Sequence, residues 1–240
     1  MRTAAATLAA AALLAGCGPS TEGAARSATS GTGSPPTTAA ATVTGDQLPG
    51  LTLPIDQVEK IIGTALSENN FAPQRRVTFT PPPTLDNPDC ASYWVVGSKA
   101  TYEGSGWIDS WGTVGANAPM APIPQRFSQP QAAVTEFLTT YPSPAVAKSA
   151  LQVIAAALQK CQMNQFNVEN MSWFTEQVAY SQPTVVAGSM FEIDSRHEGC
   201  AVRAAAKSNV VVELHVCGDK DAAGAQADSV IKAALARIPG

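Results

Sequence analysis

Apolar residues recur every three or four positions between residues 147 and 161: Ala147, Ala150, Leu151, Ile154, Leu158 and Cys161. That period lays one face of a helix on a core. Ser143 suits the cap and Pro144 the first turn, so a helix is expected over 143–161, with Cys161 ending its buried face. Ile55, Val58, Ile62 and Leu66, entered through Thr52-Leu53-Pro54, repeat the pattern. So do Ala223, Ala227, Val230, Ala234 and Ile238, in a helix expected over 222–238. Elsewhere the period falls to two. Strands are expected over 77–80, 106–114, 132–140, 174–180, 185–193, 201–207 and 210–216, with Trp107 and Trp111 on the same face of the second. The stretch opened by Asp89-Cys90 reads as helical, and 119–130 as a loop.

Ser208-Asn209 separates two β-like runs by two residues, the favoured hairpin loop length. That loop makes Lys207 face Val210, Ala205 face Val212 and Cys200 face Cys217. The cysteines then occupy a non-hydrogen-bonded pair, where side chains come closest and a disulfide is sterically allowed. Val210, Val212, Leu214 and Val216 fall on one face as core. Glu213 and His215 fall on the other, beside the cysteines. Polar groups on a sheet face either line a cleft or meet solvent, and solvent is the commoner outcome.

Strands interspersed with an early, a central and a final helix predict an α+β fold. The expected form is a mainly antiparallel sheet of about five to six strands packed with three or more helices and held by two disulfides.

The N-terminus carries a different signal. One Arg, an apolar run over 4–14 and small residues before a cut are the parts of an export signal. Its ending, Leu14-Ala15-Gly16-Cys17, resembles the lipobox of bacterial lipoproteins. The resemblance implies that Cys17 receives a lipid on its thiol and becomes the first mature residue. Three segments follow: residues 1–16 as a lipoprotein signal peptide, 17–47 as a lipidated cysteine and a Ser/Thr/Pro/Ala-rich tether, and 48–240 as the folded domain. The tether has almost no large apolar side chains to offset its ordering entropy. A coil of that length reaches about 30 Å from its anchor. The expected location is the outer face of the cytoplasmic membrane.

With Cys17 assigned to lipid, Cys90, Cys161, Cys200 and Cys217 remain. In an exported chain four cysteines read as two disulfides. The hairpin pairs Cys200 with Cys217 and leaves Cys90 for Cys161. Zinc would favour a Cys-x-x-Cys spacing, which is absent.

The net charge of −4, without a Lys/Arg cluster, argues against a nucleic-acid partner. There are two histidines, and neither a Gly-x-Ser-x-Gly elbow nor a His-Glu-x-x-His run. Gly104-Ser105-Gly106 reads as a turn. His197-Glu198 and Glu213/His215, with Asp219 nearby, are the residues that a metal-dependent hydrolase would use. Catalysis, a cofactor and a metal are not expected.

The order and spacing of several motifs resemble the extracellular sensor domain of the mycobacterial serine/threonine kinase PknH, a module also carried by stand-alone actinobacterial lipoproteins. These motifs are Asp89-Cys90, Tyr102-Glu103-Gly104-Ser105-Gly106-Trp107, Thr140-Tyr141-Pro142-Ser143 with the helix ending at Cys161, Gly199-Cys200-Ala201-Val202-Arg203, and the run from Asn209 to Cys217. Leu158 stands where the family tends to have Trp, and Glu213 where it tends to have Asp. The resemblance implies a compact domain with two disulfides and a polar cleft that senses a ligand. Kinase motifs are absent, so a signal would pass to another protein. Candidate cleft residues are Glu213, His215, Trp107 and Trp111. The expected partners are the membrane, through Cys17, and a small-molecule or envelope ligand. The alternative is an envelope protein partner, or a structural role without a small ligand.

Overall fold

The Ser208-Asn209 hairpin organises the sheet. In the computed structural model, which describes residues 42–67, 74–75, 85–117, 131–168, 171–182, 184–193 and 197–240, strands β8 (Glu198–Lys207) and β9 (Val210–Asp219) pair in the expected register. Lys207 faces Val210 and Cys200 faces Cys217. Ser208 takes the left-handed region with φ 51°, as a tight two-residue hairpin turn requires.

Around this hairpin the sheet grows on both sides, all antiparallel. One side adds β3 (Ala133–Thr140), β2 (Asp109–Ala116) and the two-residue β1 (Gln74–Arg75). The other adds β7 (Val185–Glu192), β5 (Met171–Thr175) and β4 (Gln165–Val168), while β6 (Ala179–Gln182) pairs separately with β7. The sheet has nine strands among the described residues, more than the five or six expected, because short edge pieces add to the long central strands.

Helices cover both faces. On one lie α3 (Ala91–Trp94), α4 (Lys99–Tyr102) and α5 (Pro144–Cys161). Ser143 accepts a hydrogen bond from the Val146 N–H at 3.3 Å, and the predicted face of α5 is buried from Ala147 to Cys161. Truncating Leu151, Ile154 or Leu158 to Ala would cost about 2–5 kcal/mol each. On the other face lie α1 (Leu48–Leu51), α2 (Ile55–Ile62) and α6 (Lys220–Arg237), packed on Val210, Val212, Leu214 and Val216. Leu66 is buried but lies beyond α2, which ends at Gly63 in the left-handed region.

The disulfides join Cys90 to Cys161 and Cys200 to Cys217. The first ties a 3-10 turn (Pro88–Cys90) to the end of α5. The second closes the hairpin.

Other expectations need correction. Packing already includes Val43, which lies before residue 48: it is buried, and its N–H and C=O bond the Asn209 side chain. The stretch 174–180 is not one strand: β5 stops at Thr175, and the chain re-enters beside β7 as β6. Trp107 and Trp111 do not share a face. The strand starts at Asp109, after Gly106 has turned the chain with φ 78°, so Trp107 lies outside the strand's alternation. Trp107 packs with the α5 side and Trp111 with the α6 side. The strand expected at 77–80, the loop at 119–130 and Cys17 lie outside the described residues.

Candidate functional site

Strand alternation across β2, β3, β9 and β8 builds a floor in rows on the α5 side. Gly112, Phe137 and Glu213 are cross-strand partners in one row. Val114, Thr135 and His215 form the next, and Ala116, Ala133, Cys217 and Cys200 the third. Glu213, His215 and the cysteine bridge therefore share a face, as the hairpin predicts. They are not a solvated surface.

Glu213 lies under the turn between α3 and α4 and is 1% exposed. Its Oε2 accepts hydrogen bonds from the Tyr102 hydroxyl at 2.8 Å and the Gly97 N–H at 3.2 Å. Burial raises its pKa to about 7, against the opposing effect of those two donors. Burial, and then the charge of Glu213, holds the Tyr102 phenol well above its usual range. Gly97 is required twice over: its φ is 69°, and a Cβ there would lie 2.8 Å from the Phe137 ring. Tyr102 meets Phe137 edge-on at 5.5 Å. Glu213 is thus an internal clasp holding the α3–α4 turn on the sheet.

Beside the clasp the floor opens into two joined recesses of about 210 Å³ each, which share Trp94, Val114, Thr135 and His215. Val96 and Gly97 border the first. Trp173, Gln131, Glu198 and the Cys200–Cys217 bridge border the second. Trp94 and Trp173 meet edge-to-face at 5.3 Å, and Trp94 also leans on Phe166 at 6.3 Å. Together the recesses reach the lower part of the size range of small-ligand sites, about 300–1,000 Å³. His215 is only partly exposed, and burial lowers its pKa to about 4, so it is a neutral imidazole at physiological pH.

Of the candidate cleft residues, the structure places His215 in the lining and Glu213 directly behind it. Trp107 and Trp111 are not part of it. The indoles that do form the walls, Trp94 and Trp173, come from α3 and β5. Their convergence depends on strand order, and neither lies in a local pattern that announces it.

Among the described residues, Cys200, His215 and Cys217 bring three possible metal-ligand atoms within 4.8 Å of one another. His197, Glu198, Glu213 and Asp219 do not join that group. The metal-binding form of cysteine is the thiolate. With the bridge closed, the cluster offers one imidazole nitrogen, 3.7 Å from the Cys217 sulfur, and does not fit a metal centre.

A family model described as "PknH-like extracellular domain" matches residues 43–237. Among solved structures, the extracellular domain of PknH from Mycobacterium tuberculosis superposes with a TM-score of 0.68 at 17% identity, covering 82% of this chain and 97% of that one. At that identity the likeness carries the fold. No curated protein matches the chain.

Proposed function

Because this chain belongs to the family of PknH-like extracellular domains, we propose that it is a lipid-anchored binding module on the outer face of the cytoplasmic membrane, non-catalytic, which takes a small ligand in the Trp94–Trp173 cleft. The observation that carries this reading is the pair of adjoining recesses floored by four strands and walled by two tryptophans. Elsewhere this sheet face is covered by α5 and the short helices. Aromatic and aliphatic walls with a few polar groups are the usual composition of a small-molecule site.

The anchor rests on Leu14-Ala15-Gly16-Cys17 and on the polar, Pro-containing segment that follows. No helix among the described residues is long and apolar enough to cross a membrane. The non-catalytic reading rests on the clasp: Glu213, the buried acid with a raised pKa nearest the cleft, is spent on Gly97 and Tyr102.

Thermal-shift screening of the full chain against envelope lipids, glycans and cell-wall fragments tests the binding role. A saturable rise in melting temperature that Trp94→Ala abolishes supports it. A full screen without any shift, beside a stable complex with an envelope protein, favours the interaction role instead.

A further inference from the structure

We infer that Cys200, Cys217 and His215 form a binding site for a thiophilic divalent cation of the Zn²⁺ class, assembled when a small dithiol opens the Cys200–Cys217 bridge. This goes beyond the ligand reading of the cleft and stands whether or not the cleft takes a small molecule.

Access separates the two bridges. Cys90 and Cys161 are both 0% exposed, where the 3-10 turn meets the end of α5. Cys200 is 5% exposed and Cys217 is half-buried, and both border the second recess. A reductant in that recess therefore reaches the Cys217 sulfur. One thiolate of the dithiol attacks it, the S–S bond breaks, and Cys200 leaves as a thiolate. The second sulfur of the dithiol then displaces Cys217 from the mixed disulfide. The bridge gains two electrons and two protons, and the dithiol becomes a disulfide.

Opening the bridge does not scatter its cysteines. They are directly opposed partners in the β8–β9 ladder, which runs from Glu198↔Asp219 to Lys207↔Val210. Strand β8 is also paired with β7, and β9 with β3. Backbone hydrogen bonds on both sides thus set the spacing of the two positions. His215 lies two residues before Cys217, so it projects from the same face. The two sulfurs and a ring nitrogen of His215 lie within 4.8 Å of one another, with Nε2 3.7 Å from the Cys217 sulfur.

Closed, the sulfurs are bonded to each other and carry no thiolate charge. Opened, rotation about the two Cα–Cβ bonds parts them around a cation. Two thiolates and an imidazole are ligands of the Zn²⁺ class, whereas Mg²⁺ and Ca²⁺ take oxygen. Binding releases one proton from each thiol. All three side chains line the recess, so water there can complete a tetrahedral set. The ligands come from two strands across a hairpin, which is why no Cys-x-x-Cys spacing announces them.

For the test, the oxidised full chain in detergent would be alkylated, which blocks any free thiol at Cys17. It would then be treated with dithiothreitol, freed of reductant without air, and given Zn²⁺ or Co²⁺. The expected result is two new thiols, mapped to Cys200 and Cys217, and uptake of one cation per chain that the oxidised chain does not show. Co²⁺ should give thiolate-to-metal charge-transfer bands. Two histidines in the chain make the third ligand readable by ¹⁵N-histidine labelling. On Zn²⁺ addition the His215 ring signal should move and the His197 signal stay fixed. His215→Ala should weaken uptake by about tenfold or more, since even an outer-shell partner is worth that much. The wild-type ring signal decides the matter should that variant fail to fold. The inference is overturned if the Cys90–Cys161 bridge opens first, or if the reduced chain unfolds or binds no cation. Equal uptake by the oxidised chain, or uptake that leaves the His215 signal unmoved, overturns it as well.

Discussion

Glu136 and Glu213 are neighbours in the sheet on opposite faces, and each carboxylate holds a backbone N–H of a covering segment. Glu213 holds Gly97 on the α5 side; Glu136, 2% exposed, holds Leu53 between α1 and α2 at 2.9 Å. Burial raises both pKa values from 4.5 to about 7. Both groups therefore bind a proton more tightly in the folded chain than in the unfolded one. Their contribution to stability is fully present below pH 4.5 and is lost as pH rises through 7, about 3 kcal/mol each at most. His215 acts in the opposite sense. Its pKa falls from 6.5 to about 4, so its contribution is present above 6.5 and lost as pH drops toward 4. Two acids against one histidine leave the chain more stable at pH 5 than at pH 7.5, by about 2 kcal/mol. Urea denaturation at the two pH values checks this, and the double variant Glu136→Gln/Glu213→Gln should reverse the order. Glu213→Ala leaves the Tyr102 hydroxyl and the Gly97 N–H without their acceptor and should cost about 2–4 kcal/mol at neutral pH. At this scale the sequence showed which face Glu213 and His215 share. It did not show that the face is covered, because the covering residues, Gly97 and Tyr102, are more than 100 positions away.

At the scale of elements, local spacing carries the long helix and the central hairpin. The α5 face from Ala147 to Cys161 and the β8–β9 register follow from spacing alone, and the register brings Cys200 to Cys217. Errors arose where a local break changes a strand's phase. Gly106 turns the chain between Trp107 and the strand, so counting by twos from Trp107 to Trp111 crosses a discontinuity. Similarly, the Glu176 N–H bonds the Ser189 carbonyl, where β5 has ended and β6 has not begun. The short β4 shows only two buried positions, Phe166 and Val168, too few for a periodic signal. The two bridges close loops of different length, with sequence separations of 71 for Cys90–Cys161 and 17 for Cys200–Cys217. In the chain-entropy account, losing the first costs about 4 kcal/mol and the second about 3. Urea midpoints of the two paired Cys→Ser variants should fall in that order. Gly97→Ala is a third element-scale test. It imposes a positive φ on a side chain that also meets Phe137, and it should loosen the α3–α4 turn by more than about 1 kcal/mol.

For the whole molecule, the family match over residues 43–237 spans the part of the chain that builds the cleft. The cleft draws on β2, β3, β8 and β9 for its floor and on α3 and β5 for its walls. A site assembled from that many segments is legible in one sequence only as far as its longest local pattern, here the hairpin. Cys17→Ala should move the protein from the detergent phase to the aqueous phase in a Triton X-114 partition without changing its melting temperature. Retention in the detergent phase would remove the lipid from the account. The central claim is that the Trp94–Trp173 recess is where this protein meets its ligand. The most direct measurement is the indole N–H spectrum of the ¹⁵N-labelled protein before and after addition of an envelope extract from its host. The account predicts that the Trp94 and Trp173 signals shift while Trp107 and Trp111 hold still. Shifts confined to Trp107 and Trp111, or four unmoved signals, would contradict it.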